Sequence, residues 1–171
     1  MMRRQPWNRR ALTAAMPVIM LTVLLLLRAE TLDSAADSVS LTVPAAVGFA
    51  VTNVGVSTAG SPSATPVTFS SLSVSGSRVL RISVKADGNF VPPGGQAIPA
   101  AKVSWTTSGV INGIGSAGVL STSAYGQLYQ SSNGKKVGGV NVSWTLAAPG
   151  TPLRAGVHAL TIRWKFEAII P

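Results

Sequence analysis

Leu160-Thr161-Ile162-Arg163-Trp164-Lys165-Phe166-Glu167-Ala168-Ile169-Ile170 is the stretch that decides the fold. Leu160, Ile162, Trp164, Phe166, Ala168 and Ile170 share one side, and Thr161, Arg163, Lys165 and Glu167 oppose them. A period of two is that of a half-buried β-strand, because successive side chains in a strand point to opposite faces. Val140-Asn141-Val142-Ser143-Trp144-Thr145-Leu146 repeats the pattern, as do Leu80, Ile82 and Val84 between Arg81, Ser83 and Lys85.

Working outward from these, the chain reads as short alternating segments separated by Gly, Pro, Ser and Asn. Strands are expected at residues 38–43, 47–54 and 67–74, the first two divided by Pro44. Further strands are expected at 102–107 and 124–130, with a short piece near Val119-Leu120 inside a glycine- and serine-rich connection at 108–121. Pro92-Pro93-Gly94-Gly95 reads as a loop. Asn133-Gly134 reads as a hairpin turn, since both residues tolerate positive φ. No segment after residue 36 carries a helical period. The expectation is an all-β fold, an antiparallel, immunoglobulin-like β-sandwich of about seven to nine strands, filling residues 37–171 as one domain.

Residues 1–36 have a different composition. Arg3-Arg4 and Arg9-Arg10 precede an apolar run at residues 11–27, and Ser34-Ala35-Ala36 offers a small-residue cleavage site. This is the pattern of an export signal forming an N-terminal apolar helix. The run would span roughly 25 Å as a helix at about 1.5 Å per residue, long for a signal peptide and short for a membrane span. Cleavage after Ala36 is the expectation and an uncleaved N-terminal membrane anchor the alternative.

From Asp37 onward the chain has nine lysines and arginines against three carboxylates, a net charge of +6. Apart from the adjacent Lys135 and Lys136 the cations are scattered singly rather than run together, which argues against nucleic acid as a partner. There is no cysteine. An exported domain without disulfides relies on its core alone, which suits a bacterial envelope protein. Asn141-Val142-Ser143 fits a glycosylation sequon but falls inside an expected strand.

Catalytic chemistry lacks residues. His158 is the one imidazole, and it falls on the apolar parity of the last strand. A carboxylate pair for glycoside hydrolysis would have to be Asp87 and Glu167, far apart in sequence with no supporting pattern, and no ligand cluster suggests a metal. The expectation is no enzyme, no catalytic residue, no metal and no cofactor. Trp105, Trp144 and Trp164 sit mid-strand on the parity of apolar neighbours, as does Leu146. They read as core, with an exposed platform for sugars as the alternative. Tyr125 and Tyr129, four residues apart on one parity, are the better candidates for an exposed aromatic pair, against a structural role. With Arg163 and Lys165 they form the candidate ligand-binding set.

Val103-Ser104-Trp105-Thr106, Val142-Ser143-Trp144-Thr145-Leu146 and Ile162-Arg163-Trp164-Lys165-Phe166 are similar to one another. The second continues Ala147-Ala148-Pro149. Together with the chain end from Gly156 to Pro171, these segments resemble the WxL domain of Gram-positive surface proteins. His158 stands where that family has tyrosine, and Phe166 replaces the motif leucine. The resemblance implies export, a β-rich fold and non-covalent attachment to peptidoglycan.

The functional expectation is an exported cell-envelope or surface protein that binds cell-wall polysaccharide or joins other surface proteins. A membrane would be involved only through an uncleaved N-terminal segment. The alternative is a fimbria-like structural subunit that self-assembles by donating a terminal strand to a neighbour's sheet.

Overall fold

The computed structural model describes residues 37–92, 96–150 and 156–171. The export segment at 1–36, most of the loop expected at 92–95, and Arg154 lie outside the described residues. Among the described residues ten strands follow one another: β1 (Ser38–Thr42), β2 (Thr58–Ala59), β3 (Thr65–Ser73), β4 (Val79–Ala86), β5 (Val103–Ile111), β6 (Gly113–Gly115), β7 (Gly118–Val119), β8 (Gly126–Ser131), β9 (Gly138–Leu146) and β10 (Ile162–Ile169). One sheet has the order β1-β3-β9-β5-β7, with β2 also on β9, and the other the order β10-β4-β8-β6. Every pairing is antiparallel.

The period-two segments place their apolar sides together. Val67 and Phe69 of β3, Trp105 of β5 and Val142, Trp144 and Leu146 of β9 join Ile82 and Val84 of β4 and Leu128 and Tyr129 of β8 in one buried cluster. Two sheets sharing one core make the fold a β-sandwich.

Trp105 anchors it. It lies directly across from Trp144 in the β5–β9 ladder, with ring centroids 5.9 Å apart and planes tilted by 54°. Its indole N–H donates to Ser116 O at 2.8 Å. The ring fits because Gly118 and Gly126, one from each sheet, have no side chain. A methyl on Gly118 would run into the Trp105 six-membered ring, and one on Gly126 would come within 2.6 Å of it. At the other end, the Asp37 carboxylate, 1 % exposed, accepts from Ser75 N–H at 2.8 Å and pairs with Arg78 at 3.4 Å. It ties the start of β1 to the β3–β4 turn.

Three expectations need correction. Residues 47–54 form no strand. Gly48 makes one isolated bridge to Ser61, and Val47, Phe49 and Val51 pack half-buried against the core. The alternation is real but reports a covering segment that lacks a ladder partner. The connection at 108–121 is more ordered than expected, because β5 runs on to Ile111 and is followed by β6 and β7. Asn133-Gly134 does make a turn, with Gly134 at φ +69°, but no hairpin. Its flanking strands belong to different sheets: Ser132 N–H donates to Asn112 O, whereas Lys136 O accepts from Leu72 N–H.

The hydroxyl of Tyr129, a residue at 0 % exposure, shares its one hydrogen between Ile111 O at 2.7 Å and Asn112 O at 2.8 Å. Burial pushes its phenol up from 10.0 to about 12, partly offset by the Gly139 backbone. The unfolded chain therefore loses this proton first. The stabilisation is whole below pH 10 and drains away as pH rises towards 12. Tyr129→Phe should cost about 0.5–1.5 kcal/mol at neutral pH, because one hydroxyl hydrogen bond is lost while the carbonyls of exposed Ile111 and half-buried Asn112 can turn to water. Urea unfolding across pH 9–12 should show the wild-type midpoint falling more steeply than the variant's.

Candidate functional site

The outward face of the four-stranded sheet gathers the polar half of three alternating strands. In the β4–β10 register Lys85 lies across from Arg163, Ser83 from Lys165 and Arg81 from Glu167. On the other side of β4, Gln127 lies across from Ser83 and Gln130 from Arg81. Period two brings the side chains of β4 and β10 to one face, since their neighbours Ile82, Val84, Trp164 and Phe166 turn towards the core, whereas Gln127 and Gln130, three residues apart, share that face only through a break in the alternation of β8.

Tyr125 reaches this face through an irregularity. The β4–β8 pairing runs Ile82 with Tyr129 and then Ser83 with Gln127, so Leu128 is an extra residue without a partner. This β-bulge puts Leu128 and Tyr129 both in the core and reverses the parity of everything before them. Tyr129 is therefore no part of an exposed pair, which corrects the expectation. Tyr125 emerges 39 % exposed on the opposite side. Lys85 Nζ lies 5.2 Å from its ring centroid and Lys165 Nζ 5.6 Å. Both are within cation–π range.

Charge on the face is paired but not neutral. Arg163 donates to the Asp87 carboxylate, and Lys165 lies 2.8 Å from Glu167. The hydrogen bond and the charge of Asp87 raise the Arg163 pKa, and Tyr125 adds to this, so the guanidinium stays charged. Arg81, Lys85, Arg163 and Lys165 outnumber Asp87 and Glu167, leaving a cationic surface around an accessible aromatic ring.

Of the four residues expected to bind ligand, the fold assembles Tyr125, Arg163 and Lys165 and sends Tyr129 to the core. Lys85 and Asp87 complete the cluster and were not singled out from sequence. The outward parity of Lys85 was visible, but nothing there says that β10 and Tyr125 flank it.

The tryptophans take other roles. Trp105, Trp144 and Leu146 are 2 %, 3 % and 2 % exposed, which removes the first two as platforms for sugars. Trp164 is half-buried rather than core. It lines a cleft of about 1040 Å³ with Phe49, Phe90, Leu146, His158 and Ile162, and no carboxylate borders that cleft among the described residues. A second hollow, about 460 Å³, lies beside Arg78, Lys135 and Lys136. Among the described residues no three candidate ligands cluster to hold a metal.

No family model, curated protein or solved structure matches the chain.

The division between face and core has a measurable consequence. Tyr125→Ala should change unfolding free energy by no more than about 0.5 kcal/mol, as for an ordinary surface position. Trp144→Ala should cost about 3–5 kcal/mol through the cavity it leaves. Denaturant titration of the two variants measures both.

Proposed function

We propose that this chain is an exported, non-catalytic envelope protein whose four-stranded sheet binds a cell-wall polymer bearing hydroxyls and negative charge. The observation that carries the reading is the Tyr125 ring flanked by the Lys85 and Lys165 ammonium groups on an open face. An exposed ring with a polar tip offers stacking and a hydrogen bond to a sugar, and the flanking cations attract anionic substituents. An open sheet face suits a long polymer better than a small substrate, which is held in a concave pocket.

Export rests on the arginine-flanked apolar run at residues 11–27 and the small residues that follow. The resemblance of the Trp144 and Trp164 segments to WxL domains points to peptidoglycan as the polymer. Within that reading Trp144 and Leu146 act by packing, and contact falls to the outward side of the four-stranded sheet, to which the Trp164 strand contributes Arg163 and Lys165. The non-catalytic reading draws support from the carboxylates. Asp37, Asp87 and Glu167 are each engaged by a cation, respectively Arg78, Arg163 and Lys165.

The fimbria-like alternative is less favoured. Both strands that could be donated are used within the chain, β1 on β3 and β10 on β4. Donation would first have to strip one of them from its own sheet.

Co-sedimentation of the chain with isolated cell-wall sacculi across a salt series tests the proposal. Saturable binding should persist at 0.15 M salt, where charges beyond about 8 Å are screened. Tyr125→Ala and Lys85→Ala should each weaken it about fivefold or more. Lys135→Ala, remote from the face, should leave it unchanged. Binding that disappears with salt and ignores Tyr125→Ala would sink the proposal.

A further inference from the structure

β10 borders its sheet, and among the described residues no strand pairs with its outer edge. The other bordering strands are short: β6 has three residues, β7 two and β1 five, against eight in β10. A long edge with apolar side chains is an invitation to pair with another chain. Trp164 and Phe166 are only half-buried in it, and Ile170 just beyond is 75 % exposed.

The hydrogen-bond phase of this edge is set. Asp87 N–H donates to Thr161 O at 2.9 Å, so Thr161 belongs to the residues that bond towards β4. By the alternation of antiparallel ladders, Arg163, Lys165 and Glu167 do the same, while Ile162, Trp164, Phe166 and Ala168 aim N–H and C=O groups outward. A second β10 related by a two-fold axis must therefore pair outward residue with outward residue.

Charge then selects among the registers that remain. Centred on Trp164, the pairing sets Arg163 against the partner's Lys165. Centred on Lys165, it sets that lysine against its own copy, and centred on Glu167 it opposes two glutamates. Centred on Phe166, it sets Lys165 against the partner's Glu167 twice and Arg163 against the partner's Ile169. Opposite charges directly across a ladder stabilise it and like charges weaken it. Of these four, the Phe166-centred register alone opposes no like charges. It also places Phe166 on its own copy, Trp164 across from the partner's Ala168 and the exposed Ile170 across from the partner's Ile162.

We propose that two copies of the chain associate antiparallel along β10, with Phe166 on the two-fold axis. The interface is isologous and closes on itself. It joins the two four-stranded sheets edge to edge and covers the apolar side chains left half-exposed at each rim. It also puts two Tyr125 clusters on one continuous face, so a repeating polymer could engage both at once. That last consequence rests on the polymer-binding reading; the dimer itself does not.

The chain contains no cysteine, so single introduced thiols report the register cleanly. Residues 165 and 167 would oppose each other as a non-hydrogen-bonded pair, with Cα atoms about 4.5 Å apart, within disulfide range. Under mild oxidation the full-length Lys165→Cys and Glu167→Cys chains, mixed, should form a heterodimeric disulfide, and neither alone should cross-link. In sedimentation of the cysteine-free chain over a concentration series, Glu167→Lys should weaken the dimer at least tenfold. Adding Lys165→Glu to Glu167→Lys should restore it. A monomer at every concentration, self-linking of Lys165→Cys, or a dimer indifferent to Glu167→Lys would each overturn the proposal. Loss of wall binding in a chain that still dimerises would count against the polymer reading alone.

Discussion

Contact between the Trp105 ring and two bare glycines is the constraint on which the rest of this sandwich depends. The ring bridges the sheets only because Gly118 and Gly126 leave it room, and it brings Trp144 against it across the β5–β9 ladder. With no disulfide to hold the sheets, this aromatic pair and the branched side chains around it supply the cohesion. An aromatic ring buries a large area, so one well-seated tryptophan serves a domain whose other core residues are mostly small. The same need explains why Trp105 and Trp144 do not serve as sugar platforms.

A single extra residue in β8 then divides the two tyrosines. Leu128 has no partner on β4, and both it and Tyr129 are drawn into the core. Tyr129 satisfies its hydroxyl on two carbonyls near the β5–β6 turn, whereas Tyr125 is turned out to meet two lysines. Core packing and the outward face are therefore linked through one bulge. β-bulges commonly re-aim side chains in this way.

β10 joins the remaining themes. Its apolar side completes the core incompletely, because a bordering strand has a neighbour on one side only. Its polar side carries Arg163 and Lys165 to the Tyr125 cluster, and its outer edge is without a ladder partner among the described residues. The order of charges along it, two positive and then one negative at alternate positions, is what gives that edge a preferred register.

The sequence by itself determined the all-β class, the alternating strands around Ile82, Trp105, Trp144 and Trp164, the outward parity of Arg163 and Lys165, and the burial of Trp105, Trp144 and Leu146. These follow from a period of two, which is local and needs no partner to be read. Only the tertiary structure decided that Asn133-Gly134 crosses between sheets, that Val47, Phe49 and Val51 cover the core without joining a ladder, and that Tyr125 and Tyr129 part company. A turn sequence encodes a change of direction but not the strand that the chain meets next. Parity likewise holds only until a bulge, and a bulge is created by the fit of one strand against another.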